Sequence, residues 1–319
     1  MDIFEQTYQY VRQFLPTSEW VTILDVLNKQ ISIQPGCWQI PINTCSAVGG
    51  KADYMIPAIA SIASFQTAII LVDDLLDGDG QADRLQLSHG ETANLAAAFQ
   101  SLGLECILRS PYPGDIQYRM LMLLNQMMLD TAAGQAVDLI PPQTESDYWQ
   151  TAQAKSSPFF SALFEIGAVS SGTDEKVCHS IGNLGRLYGE MIQVSDDLHD
   201  VFQNPANTDW ADMRNPLPLL FAQVVDHPWR NRFLELRRNI EQPGALAEAQ
   251  TILIRCGAVS YCIDQLMKRY QTALDWVKEA ELQNSAVLEA EFTRFMEPIW
   301  RLLYQAEIDA KSPQIQPSA

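Results

Sequence analysis

Apolar residues recur at helical spacing along almost the whole chain, and no stretch shows the sustained alternation of a half-buried strand. This spacing predicts helices over residues 2–15 and 17–30, the second capped by Thr17 and Ser18 after Pro16. Residues 31–50, punctuated by Pro35, Gly36, Pro41, Gly49 and Gly50, read as a loop. A long helix over 51–77 then stops at Gly78, Asp79 and Gly80, and further helices are predicted over 90–108, 118–140, 146–171 and 174–202. Residues 203–218, rich in Asn, Asp and Pro, form a loop of functional length. Helical periods resume to about residue 309, broken at Pro228, Pro243-Gly244 and Gly257. The expectation is an all-α fold. It comprises one domain over 1–310, with about ten to twelve helices bundled around a central cavity, and a flexible tail over 311–319.

Two of the predicted helices end in a way that burial alone does not explain. The apolar run FQTAIILV leads into Asp73, Asp74 and Asp77, and YGEMIQVS leads into Asp196, Asp197 and Asp200. Both clusters read Asp-Asp-x-x-Asp. The first and third carboxylates of such a cluster lie about one helical turn apart on one face. Carboxylates at the end of a buried run need a cation beside them, and this spacing suits a divalent ion that carries a phosphorylated ligand.

Composition narrows the partners. The formal net charge of −18 disfavours nonspecific binding to nucleic acid or to anionic lipid. The six cysteines are scattered without zinc-ligand spacing and read as buried reduced thiols. The acidic, amphipathic N-terminus lacks the pattern of a secretory signal. Ile56 to Val72, the nearest candidate for a membrane span, is interrupted by Pro57, Ser61, Ser64, Gln66 and Thr67. The expectation is therefore a cytoplasmic protein with no transmembrane segment and no nucleic-acid partner.

Two such acidic clusters facing one cavity would repel each other strongly when empty. Two or three Mg²⁺ ions, with Mn²⁺ as an alternative, would relieve the repulsion and complete their shells with phosphate oxygens, which implies a diphosphate ligand. Metal-bound diphosphate is a good leaving group, so the chemistry predicted is heterolysis of a carbon–oxygen bond to a carbocation inside a dry apolar pocket.

These residues resemble the trans-isoprenyl diphosphate synthase family, whose members carry two aspartate-rich motifs and join allylic diphosphates to isopentenyl diphosphate. The resemblance runs from about residue 49 to 218, in order. It implies an isoprenoid synthase-type bundle, and metal ligation by Asp73, Asp74, Asp77, Asp196, Asp197 and Asp200. It further implies that Lys51 and Gln66 contact isopentenyl diphosphate, and that Gln135 and Asp138, in a Gly-Gln-x-x-Asp segment, line the cavity. Lys155 and Ser156 stand where the family has a Lys-Thr at the reacting centre. Gln193 stands in the family's Phe-Gln position, and Arg214 where it has a lysine. By the same resemblance Phe65, Ala68 and Ile69 set the depth of the chain-length pocket, with Ala68→Phe expected to shorten the chain, and the protein is a homodimer.

The departures fall on the acceptor side. Tyr54 replaces an arginine, and Ala82-Asp83-Arg84 stands where an Arg-Arg-Gly is expected, so Arg84 alone is left as a partial match. The site residues thus divide into an ionising half, with Asp73, Asp196, Lys155 and Gln193 in catalytic roles, and a depleted acceptor half. Three readings follow. The first is a Mg²⁺-dependent prenyltransferase that acts on a C10–C20 allylic diphosphate with isopentenyl diphosphate as acceptor. The second is a terpene cyclase, or an enzyme prenylating another acceptor such as a peptide tryptophan. The third is a non-catalytic regulatory subunit.

Overall fold

The structure, a computed structural model, describes residues 2–15, 20–33, 35–77, 87–138 and 140–311, with backbone alone at 77, 302 and 305–311. Among these residues there are fifteen α-helices and no strand, in keeping with the all-α expectation. They are α1 (Ile3–Arg12), α2 (Val21–Ile33), α3 (Ile40–Ala47), α4 (Ile56–Asp77), α5 (His89–Leu108), α6 (Gly114–Asp138), α7 (Glu145–Lys155) and α8 (Ser157–Ser170). The rest are α9 (Glu175–Asp200), α10 (Thr208–Ala211), α11 (Leu217–Val224), α12 (Arg230–Arg238), α13 (Ala245–Arg255), α14 (Ala258–Glu279) and α15 (Ala286–Lys311).

The count exceeds ten to twelve for local reasons. Residues 31–50 are not a loop: a 3₁₀ turn over Gly36–Gln39 leads into α3, whose Pro41 sits in the first turn, where a missing N–H costs nothing. Residues 146–171 are not one helix. The chain breaks at Ser156, which ends α7 and begins α8, with Pro158 in the new first turn. Lys51 does not open α4 but precedes a separate 3₁₀ turn over Ala52–Tyr54. The polar segment after α9 contains α10, anchored by the fully buried Trp210, whose indole N–H donates to the Val201 carbonyl at 3.3 Å. Two helix starts are fixed by reciprocal capping boxes, Ser88 with Glu91 before α5 and Thr144 with Asp147 before α7.

α4 packs chiefly against α5 and α1 and also touches α8. Its side chains meet a different neighbour on each face, so it shows no single apolar stripe. Ala60, Ala68 and Leu71 join Leu95, Phe99, Leu102 and Cys106 of α5 in one core. Ala58, Ile59, Ile62, Ala63 and Phe65 join a larger core with α3, α6, α8 and α9. By length and composition Ile56–Leu76 would also pass as a membrane span, with mean hydropathy 1.6, but 67% of that window is buried inside the bundle. A third core, built on Val201, Trp210, Leu219, Phe233 and Leu253, ties α10 to α13 onto the end of α9. That core determines where the segment after the second aspartate cluster lies.

Candidate active site

A cavity of about 580 Å³ opens between α4, α6, α7, α8 and α9, with residues between Gln203 and Pro216 forming one wall. α4 contributes Gln66, Ile69, Ile70 and Asp73; Gln66 and Asp73 each lie three or four residues from the adjacent pair Ile69-Ile70, so the four share a face. α6 contributes Thr131, Gln135 and Asp138 by the same rule, and α9 contributes Ile192, Gln193, Asp196, Asp197 and Asp200. Phe159 and Phe160 of α8 complete the apolar end.

Lys155 occupies the charged end. Its ammonium donates to Asp138 Oδ2 at 2.7 Å and lies 3.4 Å from Asp73 Oδ1. Gln135 Nε2 donates to the same Asp73 oxygen. Because α7 ends at Lys155, the lysine leaves the helix where α6 approaches most closely. Gly134 makes that approach possible: a Cβ there would overlap the Ala154 carbonyl and lie 2.7 Å from the Lys155 backbone nitrogen. On the opposite side Gly189 of α9 packs at Ser157, whose Cα would lie 2.9 Å from an added Cβ. Gly134→Ala is expected to destabilise the fold by about 1–3 kcal/mol through overpacking, read from the denaturant midpoint.

The second aspartate cluster divides by direction. Asp197 is 5% exposed and turned into the protein, accepting from Gln193 Nε2 at 2.9 Å and from the Leu217 backbone N–H at 2.8 Å. Ser156 donates to Gln193 Oε1 at 2.7 Å, so the break between α7 and α8 is linked through Gln193 and Asp197 to the start of α11. Both Asp197 oxygens are thus engaged by the protein. Asp196 and Asp200, one turn apart, face the cavity. Asp196 keeps an open face on the cavity, yet the surrounding wall and the charge of Asp200 push its carboxyl up to about 6. Burial pushes Asp197 up to about 7 against its hydrogen bonds, with Tyr148 packed beside it. Burial also raises Asp200, and it raises Asp209, where the Arg214 guanidinium opposes the shift and Asp200 and Asp138 add to it.

Asp209 and Arg214, together with Asn207 and Asn215, reach the wall because the chain folds back after α9. Arg237, 2% exposed on α12, holds that return: it donates to Asn215 Oδ1 at 2.7 Å, to Gln223 Oε1 at 2.8 Å and to the Arg214 carbonyl. Asn215 in turn donates to the Pro142 carbonyl at 2.7 Å. Asp209, Thr131, Phe159 and Phe160 were not singled out from the sequence. Only the length of the 203–218 segment and the adjacency of the phenylalanines to Lys155-Ser156 hinted at them.

The acceptor-side residues are placed differently. Lys51 is exposed and off the cavity wall, and Tyr54 is 58% exposed. Arg84 lies outside the described residues, as does the side chain of Asp77. Asp74 is half-buried beside Asp73 but does not line the cavity. Of the three residues expected to set pocket depth, only Ile69 is on the wall. Ala68 faces α5, and the Phe65 ring packs onto Gly103 of α5, where an added Cβ would lie 2.7 Å from it. Ala68→Phe would therefore strain the α4–α5 interface rather than shorten the pocket.

Six carboxylates against two cations, Lys155 and Arg214, leave the described wall strongly negative. Among the described residues no three acidic, histidine or cysteine side chains converge to hold a metal alone. Raised carboxyls lining an open cavity fit Mg²⁺, which takes one or two carboxylates, keeps waters and draws further oxygens from a phosphorylated ligand. One consequence is measurable without substrate. A carboxyl whose folded pKa exceeds its unfolded value of about 3.9 favours the folded state while protonated, so that stabilisation is complete below about pH 4 and is lost as pH rises through about 6 to 7. The Tm of metal-free protein is expected to fall between pH 5 and pH 8, with Asp196→Asn flattening the fall and Mg²⁺ raising Tm more at pH 8 than at pH 5.

Comparison with known proteins follows the same lines. The family profile described as polyprenyl synthetase matches residues 40–222. Geranylgeranyl diphosphate synthase of Methanosarcina mazei is 24% identical over 169 residues, 50% of this chain and 52% of that protein. Dimethylallyltranstransferase of Mycobacterium tuberculosis is 28% identical over 116 residues, 35% of each chain. The chain thus spans about half the length, or less, of these curated relatives. Among solved structures, one of a geranylgeranyl pyrophosphate synthase superposes with a TM-score of 0.80 at 16% identity, covering 92% of this chain and 96% of that one. A polyprenyl synthase from Caulobacter crescentus CB15, complexed with calcium and isoprenyl diphosphate, superposes with a TM-score of 0.77 at 20% identity, covering 92% of each chain.

Proposed function

The chain belongs to the polyprenyl synthetase family, and from that premise we propose that it is a Mg²⁺-dependent prenyltransferase that ionises a C10–C20 allylic diphosphate. The observation that carries the reading is the cavity itself, carboxylates and Lys155 at one end and Ile69, Ile70, Ile192, Phe159 and Phe160 at the other.

Asp73, Asp196 and Asp200, with Asp74 and Asp77 next to them in the chain, would hold two or three Mg²⁺ ions. Those ions would supply charge neutralisation for the departing diphosphate. Lys155 and Arg214 bind its remaining negative charge, and Gln135 fixes Asp73 in place. As the carbon–oxygen bond breaks, its electron pair leaves on the diphosphate. The developing allylic cation then lies among apolar and aromatic walls that exclude water, and the π faces of Phe159 and Phe160 favour its positive charge. The acceptor's double bond supplies the electron pair for the new carbon–carbon bond, and the acceptor then loses a proton. Asp197, with both oxygens engaged, holds Gln193 and the start of α11 rather than metal.

Isopentenyl diphosphate is the acceptor in this reading. A different acceptor, such as an aromatic side chain of a peptide, or the cation's own distal double bond, is favoured by one observation: Lys51 is off the wall and an exposed Tyr54 stands where a second cation would be needed. Incubation with Mg²⁺ and geranyl, farnesyl or geranylgeranyl diphosphate, with and without isopentenyl diphosphate, tests both. Elongated diphosphate formed only with the second substrate supports elongation, and hydrocarbon or alcohol formed without it supports the second reading. Absence of diphosphate release from every allylic substrate would sink the proposal and favour a regulatory subunit.

A further inference from the structure

α7 presents two faces with different surroundings. Tyr148, Thr151, Ala152 and Lys155 line the cavity, while Glu145, Trp149 and Gln153, at four-residue steps, lie off its wall. That second face is held by α9 and α14. Arg269 of α14 places its guanidinium 3.6 Å over the centre of the Trp149 ring and donates through Nε to Glu190 Oε2 of α9 at 2.7 Å. The other Glu190 oxygen accepts from Gln153 Nε2 at 2.9 Å. Tyr261, two turns before Arg269 on α14, donates to Glu145, which also accepts from the Trp149 indole N–H at 3.1 Å. The ion pair is largely shielded from water, its side chains 15% and 11% exposed. Close packing does not replace it: a hollow of about 260 Å³, lined by Gln153, Ser157, Leu187, Glu190 and Trp276 among others, opens behind the break between α7 and α8. A polar brace therefore fixes the end of α7 that carries Lys155.

We infer that Arg269, which does not line the cavity, is a positioning residue for Lys155: through Trp149 and Glu190 it sets where α7 delivers the ammonium that faces Asp73 and Asp138. The inference rests on the reading of the cavity as an allylic diphosphate site. Gln153, which Glu190 grips, stands two positions before Lys155, so a shift of the braced face is a shift of the lysine. A displacement on the order of 1 Å, remote from the reacting atoms, can cost about a hundredfold in rate.

Two variants of the full chain test it. Arg269→Lys keeps a positive charge beside Glu190 but loses the planar face that stacks on Trp149. Arg269→Met combined with Glu190→Gln removes the pair without leaving a buried charge unpaired. Each is made with Lys155 present and in a Lys155→Gln background, and folding is checked by circular dichroism. The first readout needs neither substrate nor metal: the rate of amine acylation at Lys155, followed by mass spectrometry, relative to that at the exposed Lys176. Loss of the brace loosens the ammonium from Asp138, and the ratio is expected to rise severalfold in both variants. The second is diphosphate release from geranyl, farnesyl or geranylgeranyl diphosphate in Mg²⁺. It should fall at least about tenfold where Lys155 is present and less than about twofold where glutamine replaces it, the non-additivity of two residues acting through one. Folded variants that leave the acylation ratio unchanged would overturn the inference, as would equal losses of release in the two backgrounds, which a merely structural role predicts. Failure of the underlying reading looks different: the wild type then releases diphosphate from none of the three substrates, and the acylation ratio alone decides whether Arg269 positions Lys155.

Discussion

Replacing Asp73 by asparagine is expected to slow diphosphate release from an allylic diphosphate at least about a thousandfold, roughly 4 kcal/mol of transition-state stabilisation. Asp73 is where three helices meet: it stands on the cavity face of α4, accepts from Gln135 of α6 and faces Lys155 at the end of α7. Asparagine keeps the shape and loses the charge, so a metal ion would have one fewer anionic ligand on the α4 side. The fold should not suffer. Removing one of six carboxylates relieves repulsion across the wall, and the metal-free Tm is expected to stay level or rise. Steady-state release assays beside a thermal melt check both halves. A large fall in activity accompanied by a large fall in Tm would assign Asp73 to structure instead.

Lys155→Gln is the second large effect, about a hundredfold to a thousandfold on kcat/KM. The lysine neutralises Asp73 and Asp138 in the ligand-free protein, and both are left without that partner when the charge is removed. Two opposed binding shifts then identify its role. Mg²⁺ should bind the ligand-free variant more tightly than the wild type, because a competing cation is gone. An allylic thiolodiphosphate should bind more weakly, because the cation that meets its oxygens is gone. Lys155→Arg should recover only part of the activity, since a planar guanidinium does not occupy the place of a compact ammonium. If both ligands bind the glutamine variant as they bind the wild type, Lys155 is not part of the site.

Several elements of this site are readable from residue order alone. Two Asp-Asp-x-x-Asp clusters at the ends of apolar helices require cations wherever the helices lie, and a helical period fixes Asp73 with Ile69, Ile70 and Gln66 on one face. The Gly-Gln-x-x-Asp segment does the same for Gln135 and Asp138 on α6. Other features are silent. The break at Ser156 is hidden because Pro158 is as acceptable in a new first turn as Pro57 is in α4. α3 is hidden because Pro41 looks like a breaker until its position in the first turn is known. Lys51 looks like the start of α4, while the helix begins only at Ile56.

What the sequence determines by itself is periodicity and charge: which residues are helical, which faces are apolar, and that two acidic ends need a counter-ion. Which neighbour covers each face is left to tertiary packing, because a helix buried all round, like α4, carries the same pattern whichever side meets α5 and whichever side meets the cavity. That choice puts Ala68 and Phe65 against α5 and Gln66 against Trp38. It also lets Arg237 bring Asp209 and Arg214 back to the wall, and it engages both oxygens of Asp197 with Gln193 and the Leu217 N–H while its neighbour Asp196 stays open to the cavity.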